Sequence, residues 1–267
     1  MNLKINTPGR LALLLSSLAP FTPAATLNGL WTFDNPANPG AATVGTDLLI
    51  TGTAPAHAAS YADDHASSQS GVVTTVLGPD NRIQATHGIA PNGGGSFVNQ
   101  YSIVVDLFSP VASRDVWRTI YQTNVSNEND AEYFIRNSDS ALGVAGLTYS
   151  DNPIDNGSWT RLVITADLSL AGNDVLTYLD GSLHFTHAPD VGLDGRFSLD
   201  PEMFFFTDND GDNAPLAIST IGIFEGVLTP AEVGALGGAG SAIAVPEPGS
   251  LAFLALMGCG AFRRRRA

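Results

Sequence analysis

Between residues 26 and 244 the apolar positions fall in short runs divided by Gly, Asn, Asp and Pro, and no stretch sustains a 3.6-residue period. That pattern predicts an all-β sandwich. The clearest predicted strands are 29–33, 101–108, 116–121, 131–135, 159–166, 174–179, 182–186, 202–207 and 216–224, with weaker ones near 47–50, 72–77 and 81–86. Asp180-Gly181 lies between two alternating strands and predicts a tight hairpin. Near the end, Thr229-Pro-Ala-Glu232 has a hydroxyl at N-cap, proline at N1 and Glu at N3, so one short capped helix should close the domain, with Val233 and Leu236 facing the sandwich. Trp31 and Trp159 sit in apolar strands and are read as core, whereas Trp117, between Arg114 and Arg118, is left open.

The two ends follow different rules. Residues 1–25 run from Lys4 and Arg10 through an apolar stretch, 11–18, to a small-residue exit at Ala24-Ala25, the layout of a secretory signal helix. At the other end Val245-Pro246-Glu247-Pro248 precedes an apolar segment, 249–262, and the cluster Arg263, Arg264, Arg265, Arg266. As a helix that segment would span about 21 Å, short of the roughly 30 Å hydrocarbon core. The arginines would hold its end in the cytoplasm. Such a helix suits a pause in the membrane rather than a permanent anchor. The order of these features resembles the PEP-CTERM sorting signal of Gram-negative bacteria. The resemblance implies recognition of Pro246-Glu247-Pro248 by an exosortase, transient membrane insertion, removal of the tail, and delivery to the cell surface or extracellular matrix.

Residues 26–240 also carry a likeness. Leu30-Trp-Thr-Phe33-Asp34, Tyr101-Ser-Ile-Val-Val-Asp106, Gly157-Ser-Trp159-Thr-Arg-Leu-Val-Ile164, Tyr178-Leu-Asp-Gly181, Phe206-Thr-Asp-Asn-Asp-Gly-Asp212 and Leu228-Thr-Pro-Ala-Glu-Val233 occur in an order similar to that of concanavalin A-like, laminin G-like domains. The resemblance implies a two-sheet antiparallel jelly roll that binds glycan or protein, or serves structurally, more often than it catalyses. The expected organisation is a signal peptide over 1–25, the sandwich over 26–240, a linker over 241–244 and the sorting signal over 245–267.

Charge narrows the partners. Between residues 26 and 244 stand six arginines, no lysine and 25 Asp and Glu, a net charge of −19. Such a surface repels nucleic acid and anionic membrane. The single cysteine, Cys259, excludes an internal disulfide and a cysteine-based metal site.

Candidate chemistry is sparse. Asp208, Asp210 and Asp212 alternate on a turn and are candidate ligands for Ca²⁺, which takes six to eight hard oxygens. An EF-hand is excluded, because the twelve-residue window from Asp208 ends at Ser219 rather than Glu. The other reading of that loop is an acidic solvated turn. Glu128-Asn-Asp130-Ala-Glu132 has the spacing that puts three carboxylates on one strand face, and resembles the catalytic strand of family 16 glycoside hydrolases. The flanking Asn129 and Ala131 depart from that family, and the strand should start near Ala131. His184 and His187, three apart, cannot share a metal on a regular strand. The expectation is a non-catalytic exported protein that binds extracellular polysaccharide or another surface molecule. The alternatives are a structural matrix component, or a retaining hydrolase using Glu128 and Glu132.

Overall fold

The computed structural model describes residues 24–58, 72–74, 80–126, 130–170, 174–187, 192–208 and 211–243. The signal segment up to residue 23, the sorting motif, the arginine cluster, Glu128 and Asp210 lie outside these residues.

Among the described residues fifteen strands are formed: β1 Thr26–Trp31, β2 Leu49–Thr51, β3 Ala56–Ala58, β4 Val72–Thr74, β5 Arg82–Thr86, β6 Gln100–Phe108, β7 Arg118–Gln122, β8 Glu132–Ile135, β9 Ala141–Val144, β10 Tyr149–Pro153, β11 Trp159–Asp167, β12 Asp174–Leu179, β13 Ser182–Thr186, β14 Glu202–Phe205 and β15 Ala217–Glu225. One sheet runs β13-β12-β11-β6-β15-β4-β3, with β1 also paired to β15; the other runs β10-β9-β8-β7-β14-β5-β2. All pairings are antiparallel, and the two sheets form the expected jelly-roll sandwich. The strands β3, β9 and β10 were not foreseen.

Alternation explains the layering. Along β6, Tyr101, Ile103, Val105 and Leu107 join the core between the sheets, with Leu162, Ile164 and Ala166 of β11 beside them. The intervening Val104 and Val163 face the other way, into a second apolar cluster with Val233 and Leu236 of the only described α-helix, α1 (Pro230–Leu236). The first sheet is therefore covered on both faces, which is why β6 reads as an almost unbroken apolar run. In α1 the Thr229 hydroxyl accepts from the Glu232 amide at 3.2 Å, and the Glu232 carboxylate accepts from the Thr229 amide at 2.7 Å, so the capping box is complete.

The Asp180-Gly181 turn joins β12 to β13 with both residues at positive φ, 46° and 82°, the geometry of a type I′ hairpin. At Gly29 a side chain would stand 2.5 Å from the Trp31 ring, so the glycine makes room for that buried indole. Trp159 departs from expectation. It shares the parity of Arg161 and Val163, so it lies half-buried on the outer side of the first sheet, its ring 5.8 Å from Phe108.

Candidate functional site

One end of the sandwich holds an open polar pocket of about 470 Å³, built from the segment before β7, the β8–β9 turn and the β10–β11 loop. Its walls include Arg114, Asp115, Asp139, Ser140, Asp155 and Asn156. Beneath them lies Arg118. A register shift between Thr119 and Tyr121 lets both Ile120 and Tyr121 face the core, and Arg118, opposite the core residue Ile135, points to the same side. Its side chain is wholly buried.

Among the described residues Arg118 meets only neutral acceptors. Nη1 donates to Ser109 Oγ at 2.7 Å and Asn156 Oδ1 at 2.6 Å; Nη2 donates to Ser140 Oγ at 2.9 Å and the Arg136 carbonyl at 3.4 Å. Nε has no partner. Burial pulls the guanidinium down to about 10, and the exposed Asp115 carboxylate raises it back in part without pairing. The acceptors are themselves linked, with Ser109 Oγ donating to Asn156 Oδ1 at 2.9 Å and Asn156 Nδ2 to Ser140 Oγ at 3.0 Å. Asp115 and Ser140 both sit at positive φ, 63° and 61°. Backbone in that region costs on the order of 1–3 kcal/mol per residue and persists where surrounding contacts hold it.

From the pocket an aromatic strip continues over the outer face of the second sheet. Asp139 pairs with Arg136 (Nε to Oδ1, 2.9 Å), and the Arg136 guanidinium lies 4.4 Å from the centre of the Tyr149 ring. Trp117 is 6.1 Å from Tyr149 and 5.3 Å from Phe134. Trp117 is thus half-exposed on an outer surface and not part of the core.

Farther along this face, two features separate in sequence come together. Gln122 Nε2 donates to Glu132 Oε1 at 2.7 Å and to Asp208 Oδ1 at 3.2 Å. Burial, then the charges of Asp130 and Asp208, push the Glu132 carboxyl up to about 7, and it hydrogen bonds Asp208. A carboxyl that keeps its proton near neutral pH can donate, and here the donation goes to its neighbour. Asp130 precedes β8, so it does not share a strand face with Glu132; the strand starts too late.

Of the three predicted calcium ligands, Asp208 and Asp212 are described and Asp210 is not. Asp208 is buried, and its Oδ2 accepts from the Asp212 amide. The Asp212 side chain is exposed, while its carbonyl accepts from Thr119 Oγ1 at 2.8 Å. Among the described residues no three His, Cys, Asp or Glu side chains are grouped to hold a metal. The histidines are apart. His187 is buried against Thr177 and Tyr133 and pushed down to about 4 by burial, whereas His184 lies near the surface beside the Asn152 carbonyl.

Sequence reasoning missed Arg118, Ser140 and Asn156. The available signal was an arginine inside an apolar strand of a body with only six arginines.

No protein-family model matches the chain, and no curated protein matches it significantly. Solved structures do. Domain 4 of AbnA, an extracellular GH43 arabinanase from Geobacillus stearothermophilus solved with arabinotriose, is similar at 20% identity and a TM-score of 0.55, over 80% of this chain and 100% of that domain. The receptor-binding domain of botulinum neurotoxin type G is similar at 16% identity and a TM-score of 0.52, over 80% of this chain and 50% of its own. That of serotype D, solved with N-acetylneuraminic acid, reaches 14% identity and a TM-score of 0.50, over 73% of this chain and 46% of its own. At these identities the likeness establishes the fold this chain shares with them, a β-sandwich.

Proposed function

We propose that this chain is an exported β-sandwich that binds polysaccharide at the cell surface or in the extracellular matrix and carries out no catalysis. The observation that carries the reading is the open polar pocket bedded on Arg118, continued by the half-exposed Trp117 and Tyr149. Clustered hydroxyl, amide and carboxylate groups match sugar hydroxyls, and adjacent ring faces match the apolar faces of sugars. Support comes from the two similar domains solved with arabinotriose and N-acetylneuraminic acid. In this reading Pro246-Glu247-Pro248 and the four terminal arginines direct the chain to an exosortase, and export precedes binding.

The test is retention of the full-length chain on immobilised neutral and acidic polysaccharides, with Ca²⁺ and then with chelator. Retention in both buffers is expected, because the Asp208 carboxylate is already engaged. Loss on chelation would move the weight to the Asp208–Asp212 loop. No retention on any polysaccharide would overturn the reading in favour of a structural matrix component.

A further inference from the structure

Three of the six arginines between residues 26 and 244 meet at the pocket end: Arg114, Arg118 and Arg136. Arg136 pairs with Asp139, and Arg114 is exposed on the wall. Arg118 is the exception, a wholly buried cation with no carboxylate partner among the described residues. A charge removed from water and bonded only to neutral groups is poorly compensated. In a domain this acidic, counter-charge was available, and it was not placed there.

Ser140 relays that charge to the pocket. Its Oγ receives Nη2 of Arg118 and Nδ2 of Asn156, which fills both acceptor positions of a hydroxyl. Only the O–H remains, and it can only donate. Hydrogen bonds received by an oxygen polarise its own O–H, most of all when one comes from a cation. Ser140 lines the pocket and is held at positive φ, so the donor is fixed before any ligand arrives. The acceptor that matches such a donor best is an anionic oxygen.

We infer that the end pocket is a subsite for an acidic sugar, whose carboxylate or sulfate oxygen accepts from Ser140 with the Arg118 guanidinium behind it. The inference rests on the polysaccharide-binding reading and adds the class of sugar. The rim limits how the ligand enters. Asp139 is neutralised by Arg136, while Asp115 and Asp155 remain to repel a second charge. The subsite therefore takes one anionic group, flanked by neutral hydroxyls that the Asp carboxylates can accept from.

Calorimetric titration of the full-length chain tests this. The probes are oligomers of galacturonic and glucuronic acid, their methyl esters, and a sulfated neutral oligomer. At least one free acid or the sulfated oligomer should bind about tenfold tighter than the uncharged probes, as a charge-assisted hydrogen bond implies. A uronate preference names the carboxylate and a sulfate preference the sulfate; either supports the subsite. Ser140→Gly removes the hydroxyl and accepts the positive φ; it strands two buried donors, so the thermal midpoint should fall, and the ratio of acid to ester affinity, read below that midpoint, should drop to about one. Arg118→Lys keeps the charge without the two-pronged donor and should lose most of the preference for acid. Esters bound as tightly as acids would overturn the acidic-sugar inference and leave polysaccharide binding intact. A preference that survives Ser140→Gly would overturn the assignment to this pocket. Binding to none of the probes, together with no retention on any polysaccharide, would overturn both.

Discussion

Arg161 and Arg118 are both completely buried, one under the outer face of the first sheet and the other between the sheets at the pocket end. Arg161 stands opposite Asp106 in the β6–β11 register and meets it through two bonds, Nε to Oδ1 and Nη2 to Oδ2, each 2.7 Å. Its remaining donors reach the carbonyls of Leu236 at 2.5 Å and Ser241 at 2.6 Å, and the Gly240 amide donates to Asp106 Oδ2 at 2.9 Å. Arg118 has the same burial but, among the described residues, no acid partner, and its Nε is unused. The first arginine is a closed structural clamp that docks α1 and the segment after it. The second is an open one, whose missing partner is left for something outside the chain to supply.

That contrast can be broken most forcefully at Asp106. Asp106→Asn strands the Arg161 charge and should cost about 3–5 kcal/mol, the range for breaking a buried pair from one side. Urea unfolding would read it, and a cost near zero would show that the clamp does not hold the fold. Arg118→Met should cost less, roughly 1–2 kcal/mol, because hydrogen bonds are lost but an unpaired desolvated charge goes with them. If it costs as much as Asp106→Asn, the two arginines are doing the same structural job.

Glu132 sharpens the comparison with a third solution, in which a poorly placed charge is met by a proton. Its carboxyl is raised in the fold from 4.5 to about 7. The folded state then binds the proton more tightly than the unfolded chain, so this group's contribution is complete below about pH 4.5 and is lost as pH rises toward 7. His187 acts in the opposite sense. It is lowered from 6.5 to about 4, so its contribution is complete above about pH 6.5 and is lost as pH falls toward 4. Glu132→Gln keeps a group that can accept from Gln122 and donate to Asp208. It should gain about 1 kcal/mol or less at pH 7, nothing at pH 4, and flatten the fall between pH 5 and 7 in a plot of thermal midpoint against pH. A wild-type-like fall between pH 5 and 7 in this variant would assign the effect elsewhere.

Much of the fold was legible because strand parity writes itself into sequence. The runs at 101–108, 159–166 and 216–224 became the three central strands of the first sheet, and the hairpin and capped helix lie where their turn chemistry put them. The strands β3 and β9 were missed because Ala-His-Ala and Ala-Leu-Gly-Val are too short and weak to declare a period. β10 was missed because Tyr-Ser-Asp-Asn-Pro is a polar edge. Trp159 was placed in the core from its apolar neighbours, yet its parity with Arg161 puts it outside. The pocket was illegible for a different reason. Arg118, Ser140 and Asn156 come from three segments, and only the bulge in β7 turns the arginine inward. Glu132 and Asp208 are likewise 76 positions apart, so each was read as a separate local motif.

The docking of residues 237–243 has a geometric outcome. With the Ser241 carbonyl held by Arg161 and Ile243 packed on the second cluster, the chain departs from the outer side of the first sheet. Anything tethered through the residues that follow would be attached at that side. Trp117 and Tyr149, on the far side of the other sheet, would then be presented away from the attachment point, so the sandwich would stand on one face and show the other.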